Sequence, residues 1–189
     1  MLIAVAQDTQ GAEAAAPWYE RAIASYIQLV DPAHEVSALY NLVNVPSAVW
    51  IDEAGRVRRI DEGTYATVHN LNGFEFGRED YAPMVADWVE HGEQSVHVAE
   101  PVEIAEKTDD AAKADTAFRL ANFFKATGRD AKADHYWAVA QKLNPDSWNY
   151  HRQDWAYTPD EAGSNWQEKA SGLGDKPYYK PIEGLDTND

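Results

Sequence analysis

Apolar and polar positions along this chain switch repeatedly between a period of two and a period near 3.6. Residues 2–6, Leu-Ile-Ala-Val-Ala, form an unbroken apolar run closed by Gln7-Asp8, which predicts a buried strand. Asp8-Thr9-Gln10-Gly11 predicts a turn. Ala15, Trp18, Tyr19, Ala22 and Tyr26 then recur at helical spacing and predict a helix over 12–26 with one face against a sheet. Pro17 suits such a helix only within its first turn, which moves the expected start toward Pro17. Residues 27–30 read as a short extended piece ended by Asp31-Pro32, and 34–41 as a short helix. Two strands over 47–51 and 56–61, joined by Asp52-Glu53-Ala54-Gly55, predict a β-hairpin. The Asn- and Gly-rich residues 63–77 read as loop. Tyr81, Met84, Val85, Trp88 and Val89 fall on one helical face, which predicts a helix over 80–91 ended by Gly92.

Beyond residue 92 the pattern weakens through Pro101 into mixed charge, so 93–109 reads as a linker. Helices are expected over 110–127 and 130–143, split by Gly128, with 148–155 continuing as a capping helix whose Trp and Tyr residues pack on the hairpin. The tail from Thr158 is polar, carries Gly172, Gly174, Pro177 and Pro181, and its last residues are expected to be mobile.

Composition narrows the function classes. The chain has 189 residues, 44% of them apolar and 25% charged, enough for one domain or two small ones with a hydrophobic core. A net charge of −16 argues against nucleic acid and anionic membrane surfaces as partners, because both attract clustered Lys and Arg. There is no cysteine, hence no disulfide, no thiolate nucleophile and no Cys-based metal site. No apolar run reaches membrane-spanning length and no signal peptide is evident, so the expected location is cytoplasmic by default, or exported if the true N-terminus lies upstream.

The segment Val45-Pro46-Ser47, the apolar strand after it, and Ile51-Asp52-Glu53-Ala54-Gly55-Arg56-Val57 resemble the TlpA/ResA-type thioredoxins. In that family a cis-proline precedes the strand and an acidic-Gly turn follows it. Val5-Ala6-Gln7-Asp8 is similar to the family's second core strand. The resemblance spans residues 1–92. It implies that Pro46 is the cis-proline and that Asn44, Val45 and Pro46 are substrate-binding, Val45 pairing through its backbone with an extended protein or peptide thiol/disulfide substrate. An ordinary trans-proline at a strand start is the competing reading of the same residues, and the order of elements favours cis.

The family's Cys-x-x-Cys lies on an earlier strand and helix that this chain does not contain, so no catalytic residue, cofactor or metal ligand is assigned. The expectation is a thioredoxin-like redox protein of the thiol-disulfide oxidoreductase class, present as a part lacking its Cys or selenocysteine motif and inactive as written. The alternative is a non-enzymatic interaction module. Without the first strand, the strands at 2–7 and 47–51 would expose unpaired edges. The gap is expected to close by direct pairing, by another segment, or by a second chain.

Leu120, Ala121, Phe124, Gly128, Ala133, Trp137, Ala140 and Pro145 resemble the tetratricopeptide consensus, which places one repeat over 114–147, with Ala117 where the first aromatic would stand. One repeat cannot bury its own faces, so a helical hairpin packed on its neighbour is expected rather than a peptide-binding array. The fold class is therefore α/β: an incomplete thioredoxin-like fold (β-α-α-β-β-α) over 1–92, a linker over 93–109, a small all-α hairpin with capping helix over 110–157, and a tail over 158–189.

Several polar clusters invite a site and are set aside. His151 with Asp154, and Asp134 with His135, are too few for a metal. The stretch 171–176, Ser-Gly-Leu-Gly-Asp-Lys, follows no strand and lacks phosphate-loop spacing. His69 has no nucleophilic partner, and Asp52-Glu53 and Asp61-Glu62 read as turn and exposed positions.

Overall fold

A computed structural model describes residues 1–71, 73–98 and 100–186. The expected mobility of the last residues concerns 187–189, which lie outside the described residues. The chain divides into two compact units, Met1–Val43 with Glu106–Asn165 and Asn44–Ala105 with Trp166–Asp189. These limits cut across the boundaries expected from sequence, and particular contacts account for the difference.

In the first unit, strand β1 (Ile3–Ala6), helix α1 (Ala12–Ala22) and strand β2 (Ile27–Val30) form a β-α-β arrangement. β1 and β2 pair in parallel, Ile3 opposite Ile27 and Ala6 opposite Val30. The extended piece at 27–30 is thus a true strand, and the expected string β-α-α-β-β-α gains one. From α1, the Tyr19 hydroxyl accepts the Ala6 N–H at 2.8 Å and donates to the Leu29 carbonyl at 2.6 Å, tying the helix to both strands. Pro17 sits inside α1 rather than in its first turn. The hydrogen bond it cannot donate would have gone to the Glu13 carbonyl, and Glu13 is exposed, so water can replace it.

After helix α2 (Glu35–Tyr40), the unit continues with α4 (Asp109–Ala126), α5 (Asp130–Leu143) and α6 (Trp148–Trp155). The Thr108 side chain caps α4 by accepting the Ala111 N–H. Gly128, at φ +70°, takes the left-handed conformation that turns the chain into α5. Fully buried Ala114, Ala121, Ala133 and Ala140 let α4 and α5 approach closely. Trp137 and Phe118 fill the core, and Tyr150 of α6 stacks on Phe118 with ring centres 4.7 Å apart.

The polar face of α6 reads the end of β1, and this is why residues 106–165 join residues 1–43. Gln153 Oε1 accepts from Thr9 N (2.8 Å) and Thr9 Oγ1 (2.9 Å), while its Nε2 donates to the Gln7 carbonyl at 3.2 Å. The N–H groups of Trp148 and Asn149 both donate to the Val43 carbonyl, and Asn149 Nδ2 donates to the Leu42 carbonyl.

The second unit holds the antiparallel hairpin β3 (Ser47–Ile51) and β4 (Val57–Glu62), with Ser47 opposite Glu62, and helix α3 (Tyr81–His91). Residues 63–77, expected as loop, contain a second hairpin, β5 (Val68–Leu71) and β6 (Phe74–Gly77). Its strands are four residues each, too short for the alternation of Phe74-Glu75-Phe76 to stand out from an Asn- and Gly-rich stretch, and Gly73 at φ +84° makes its turn. The core joins Trp50, Tyr81, Met84 and Ile182. Ile182 is 1% exposed, which makes the C-terminal segment part of this unit rather than a loose tail. The tail also contains helix α7 (Pro159–Ser171), whose polar composition concealed it in the sequence.

Among the described residues, β1 pairs only with β2 and β3 only with β4. No helix among the described residues is long and apolar enough to cross a membrane.

Candidate functional site

The segment Asn44-Val45-Pro46 enters β3 through a cis Val45–Pro46 peptide bond. Asn44 is fully buried and organises the entrance. Its Nδ2 donates to the Tyr178 carbonyl at 3.1 Å, and its Oδ1 accepts the Val45 N–H at 2.9 Å. Its carbonyl accepts the Ser47 hydroxyl at 2.7 Å. The Pro46 carbonyl accepts the N–H groups of Gly63 (2.8 Å) and Thr64 (3.4 Å), which extends the hairpin one step beyond its first strand pair. The Val45 carbonyl lies outside that ladder and accepts the Tyr179 hydroxyl at 3.0 Å.

Tyr179 owes its place to Gly63. A Cβ at Gly63 would stand 2.9 Å from Tyr179 ring carbons, and Gly63 holds φ +70°. The Tyr179 hydroxyl also meets the Tyr65 hydroxyl at 3.0 Å. Gly63→Ala should therefore lower the stability of this unit by about 1–2 kcal/mol, from the left-handed backbone alone, and displace the Tyr179 ring. Urea unfolding checks the first effect and the Tyr179 ring resonances the second. Sequence reasoning named Asn44, Val45 and Pro46 but missed Gly63, Tyr65 and Tyr179. The available signal was the Tyr178-Tyr179 doublet set between Pro177 and Pro181 in a tail read as polar.

The other polar clusters make local contacts. Asp52 closes the β3–β4 turn: Oδ1 accepts the N–H groups of Ala54 (3.0 Å) and Arg56 (2.9 Å), and Oδ2 meets Arg56 Nε at 2.8 Å. The Arg56 backbone bond, with the Arg56 and Arg58 side chains, holds its carboxyl at about 2. Asp61 and Glu62, expected to be exposed, are each 7% exposed. Asp61 Oδ2 accepts from Arg59 Nε (2.7 Å) and from the Tyr81 hydroxyl (3.0 Å), which in turn accepts Trp50 Nε1 at 2.8 Å. Burial first, and then Asp61, push the Tyr81 phenol up.

His69 meets Thr67 Oγ1 and stacks on Phe76. Asp154 accepts Gln141 Nε2 at 2.9 Å, and burial pushes its carboxyl up. Ser171 is the last residue of α7, and residues 172–176 follow it. Among the described residues, no group of three or more His, Cys, Asp or Glu side chains could hold a metal ion.

The first unit contains a buried titratable group that the sequence did not single out. His34, 5% exposed and at φ +56°, sits edge-on to Phe118, and neither ring nitrogen meets a partner in hydrogen-bond geometry. Burial lowers its pKa from 6.5, against the opposing negative charges of Asp31 and Asp8. The unfolded imidazole then takes up a proton at a higher pH than the folded one. Stability should be level above about 6.5 and should fall as pH drops below it toward the folded value. Urea midpoints at pH 7.5 and 5.5 should differ in that direction, and His34→Leu should shrink the difference. An unchanged difference in the variant would contradict the assignment.

These elements define a mixed α/β protein, with a proline-marked strand entrance as its candidate contact. Comparisons with protein-family models, with curated proteins and with solved structures found no match.

Proposed function

We propose that this chain is the substrate-side portion of a thioredoxin-like redox protein, which contacts an extended polypeptide at Asn44, Val45 and Pro46 and performs no thiol chemistry itself. One observation carries the reading: a parallel β-α-β unit and helix α2 are followed in sequence by an antiparallel hairpin whose first strand opens on Val45-Pro46 and, after the second hairpin β5–β6, by helix α3. That order supports a thioredoxin-like arrangement. With no cysteine in the chain, no residue can attack a disulfide. The chain binds; exchange would need a thiol or selenol supplied from elsewhere.

A second reading rests on the helical hairpin. An open groove of about 630 Å³ between α4 and α5 is lined by Ala117, Leu120, Tyr136, Val139 and Leu143 among others, which suits a non-enzymatic interaction module. Amide NMR during titration with S-carboxymethylated insulin B chain, a thiol-free extended polypeptide, separates the two. The first reading expects shifts at Asn44, Val45 and Ser47; shifts confined to α4 and α5 would favour the second. In a dithiothreitol-driven insulin-reduction assay the chain should give no rate above background, and a measurable acceleration would overturn the chemistry assigned here.

A further inference from the structure

We infer that Tyr179 is a built-in gate on the Val45 contact, an internal ligand that an extended partner must displace. The inference rests on the reading of residues 44–46 as the partner contact. An extended chain pairing with Val45 would use the Val45 N–H and carbonyl, and both are already engaged within the same unit. The N–H donates to Asn44 Oδ1 at 2.9 Å and the carbonyl accepts the Tyr179 hydroxyl at 3.0 Å. Strand pairing does not consume this carbonyl, because the ladder starts at Ser47 opposite Glu62 and its one-step extension uses the Pro46 carbonyl. Removing the tyrosine hydroxyl therefore leaves the Val45 acceptor for a partner without disturbing the hairpin.

The segment carrying Tyr179 is held on both sides. Upstream, the Tyr178 carbonyl accepts Asn44 Nδ2, and its ring meets Trp166 edge to face. Downstream, Ile182 is buried against Trp50, Tyr81 and Met84, and its N–H donates to Asp186, which pairs with Arg78 at 2.9 Å. With the backbone anchored, opening is a rotation of the Tyr179 side chain out of its seat over Gly63. The Tyr179 side chain is half-buried. Tyr65 steadies the closed position through its hydroxyl and by an edge-to-face ring contact at 6.1 Å.

The test compares the wild-type chain with Tyr179→Phe and Tyr179→Ala. Each is titrated with fluorescein-labelled S-carboxymethylated insulin B chain, and the amides of Asn44, Val45 and Ser47 report where it binds. Tyr179→Phe keeps the ring over Gly63 and removes only the hydroxyl, so it should fold as the wild type does and bind about five-fold more tightly, the worth of one hydrogen bond. Tyr179→Ala should bind at least as tightly as Tyr179→Phe. Equal affinity in all three, with the amides of 44–47 shifting, would overturn the gate and leave the contact standing. No shift at 44–47 in any of the three would overturn the contact and the gate together.

Discussion

Replacing Trp137 with alanine is expected to destabilise the first unit by about 3–5 kcal/mol, the largest effect of any single truncation in the chain. Trp137 is 1% exposed and its indole N–H donates to Asn122 Oδ1 at 3.2 Å. It lies among Ala121, Ala133 and Ala140, whose small side chains leave the tryptophan as the principal filler between α4 and α5. Those neighbours are on rigid helices and cannot close the void, so the cavity cost adds to the lost transfer energy. Because Gln153 and Asn149 of α6 also hold Thr9 and Leu42, loosening the hairpin should reach the β1–α1 turn. Amide exchange at Thr9, whose N–H bonds to Gln153, should accelerate along with that of α4 and α5. Protection at Thr9 that survives the substitution would show the helices and the β-α-β part to be uncoupled.

The second large effect is expected at Asp61. Its carboxylate receives both the Arg59 guanidinium and the Tyr81 hydroxyl, and Tyr81 receives the Trp50 indole. The Arg59 side chain is 12% exposed and also lies over the Trp50 ring at 5.6 Å. Asp61→Ala strands a nearly buried cation and a buried phenol at once, a loss of about 3 kcal/mol; Arg59 moderates it by donating also to the carbonyls of His97 and Glu183. Tyr81→Phe leaves the ion pair but strands the Trp50 indole N–H, so about 1–2 kcal/mol is expected. Urea unfolding followed by the Trp50 indole resonance should rank the two in this order. Equal costs would mean that the charge pair is not the centre of the network.

Periodicity made the long elements legible. Of the stripe Tyr81, Met84, Val85, Trp88 and Val89, all but the exposed Val89 marked the packed face of α3, and the alanines of 114–140 marked the close approach of α4 and α5, because helix faces that must be buried leave a repeat in the sequence. Short elements left too little of one. β5 and β6 read as loop, and α7 was hidden in a tail whose anchor, Ile182, is one apolar residue among Pro, Lys and Glu. The unit boundaries were illegible for a related reason. They depend on single polar side chains, Gln153 on Thr9 and Asn149 on Leu42, which carry no periodic signal.

At the candidate site the split is the same. Asn44, Val45 and Pro46 stood out through a local resemblance, whereas their partners Gly63 and Tyr179 are 17 or more residues away in sequence and are brought together only by folding. Asp61 shows the opposite error. Next to a turn-rich stretch it read as exposed, yet it faces inward to satisfy Tyr81.

Site-specific photo-crosslinking probes the proposed contact at Val45. A benzoylphenylalanine placed at Val45 should capture S-carboxymethylated insulin B chain. The same group at Val89, 75% exposed on α3, serves as control and should capture little. Capture at Val45 well above Val89 is the predicted result; capture at Val45 no greater than at Val89, with efficient capture at Leu120 in the α4–α5 groove, would contradict it.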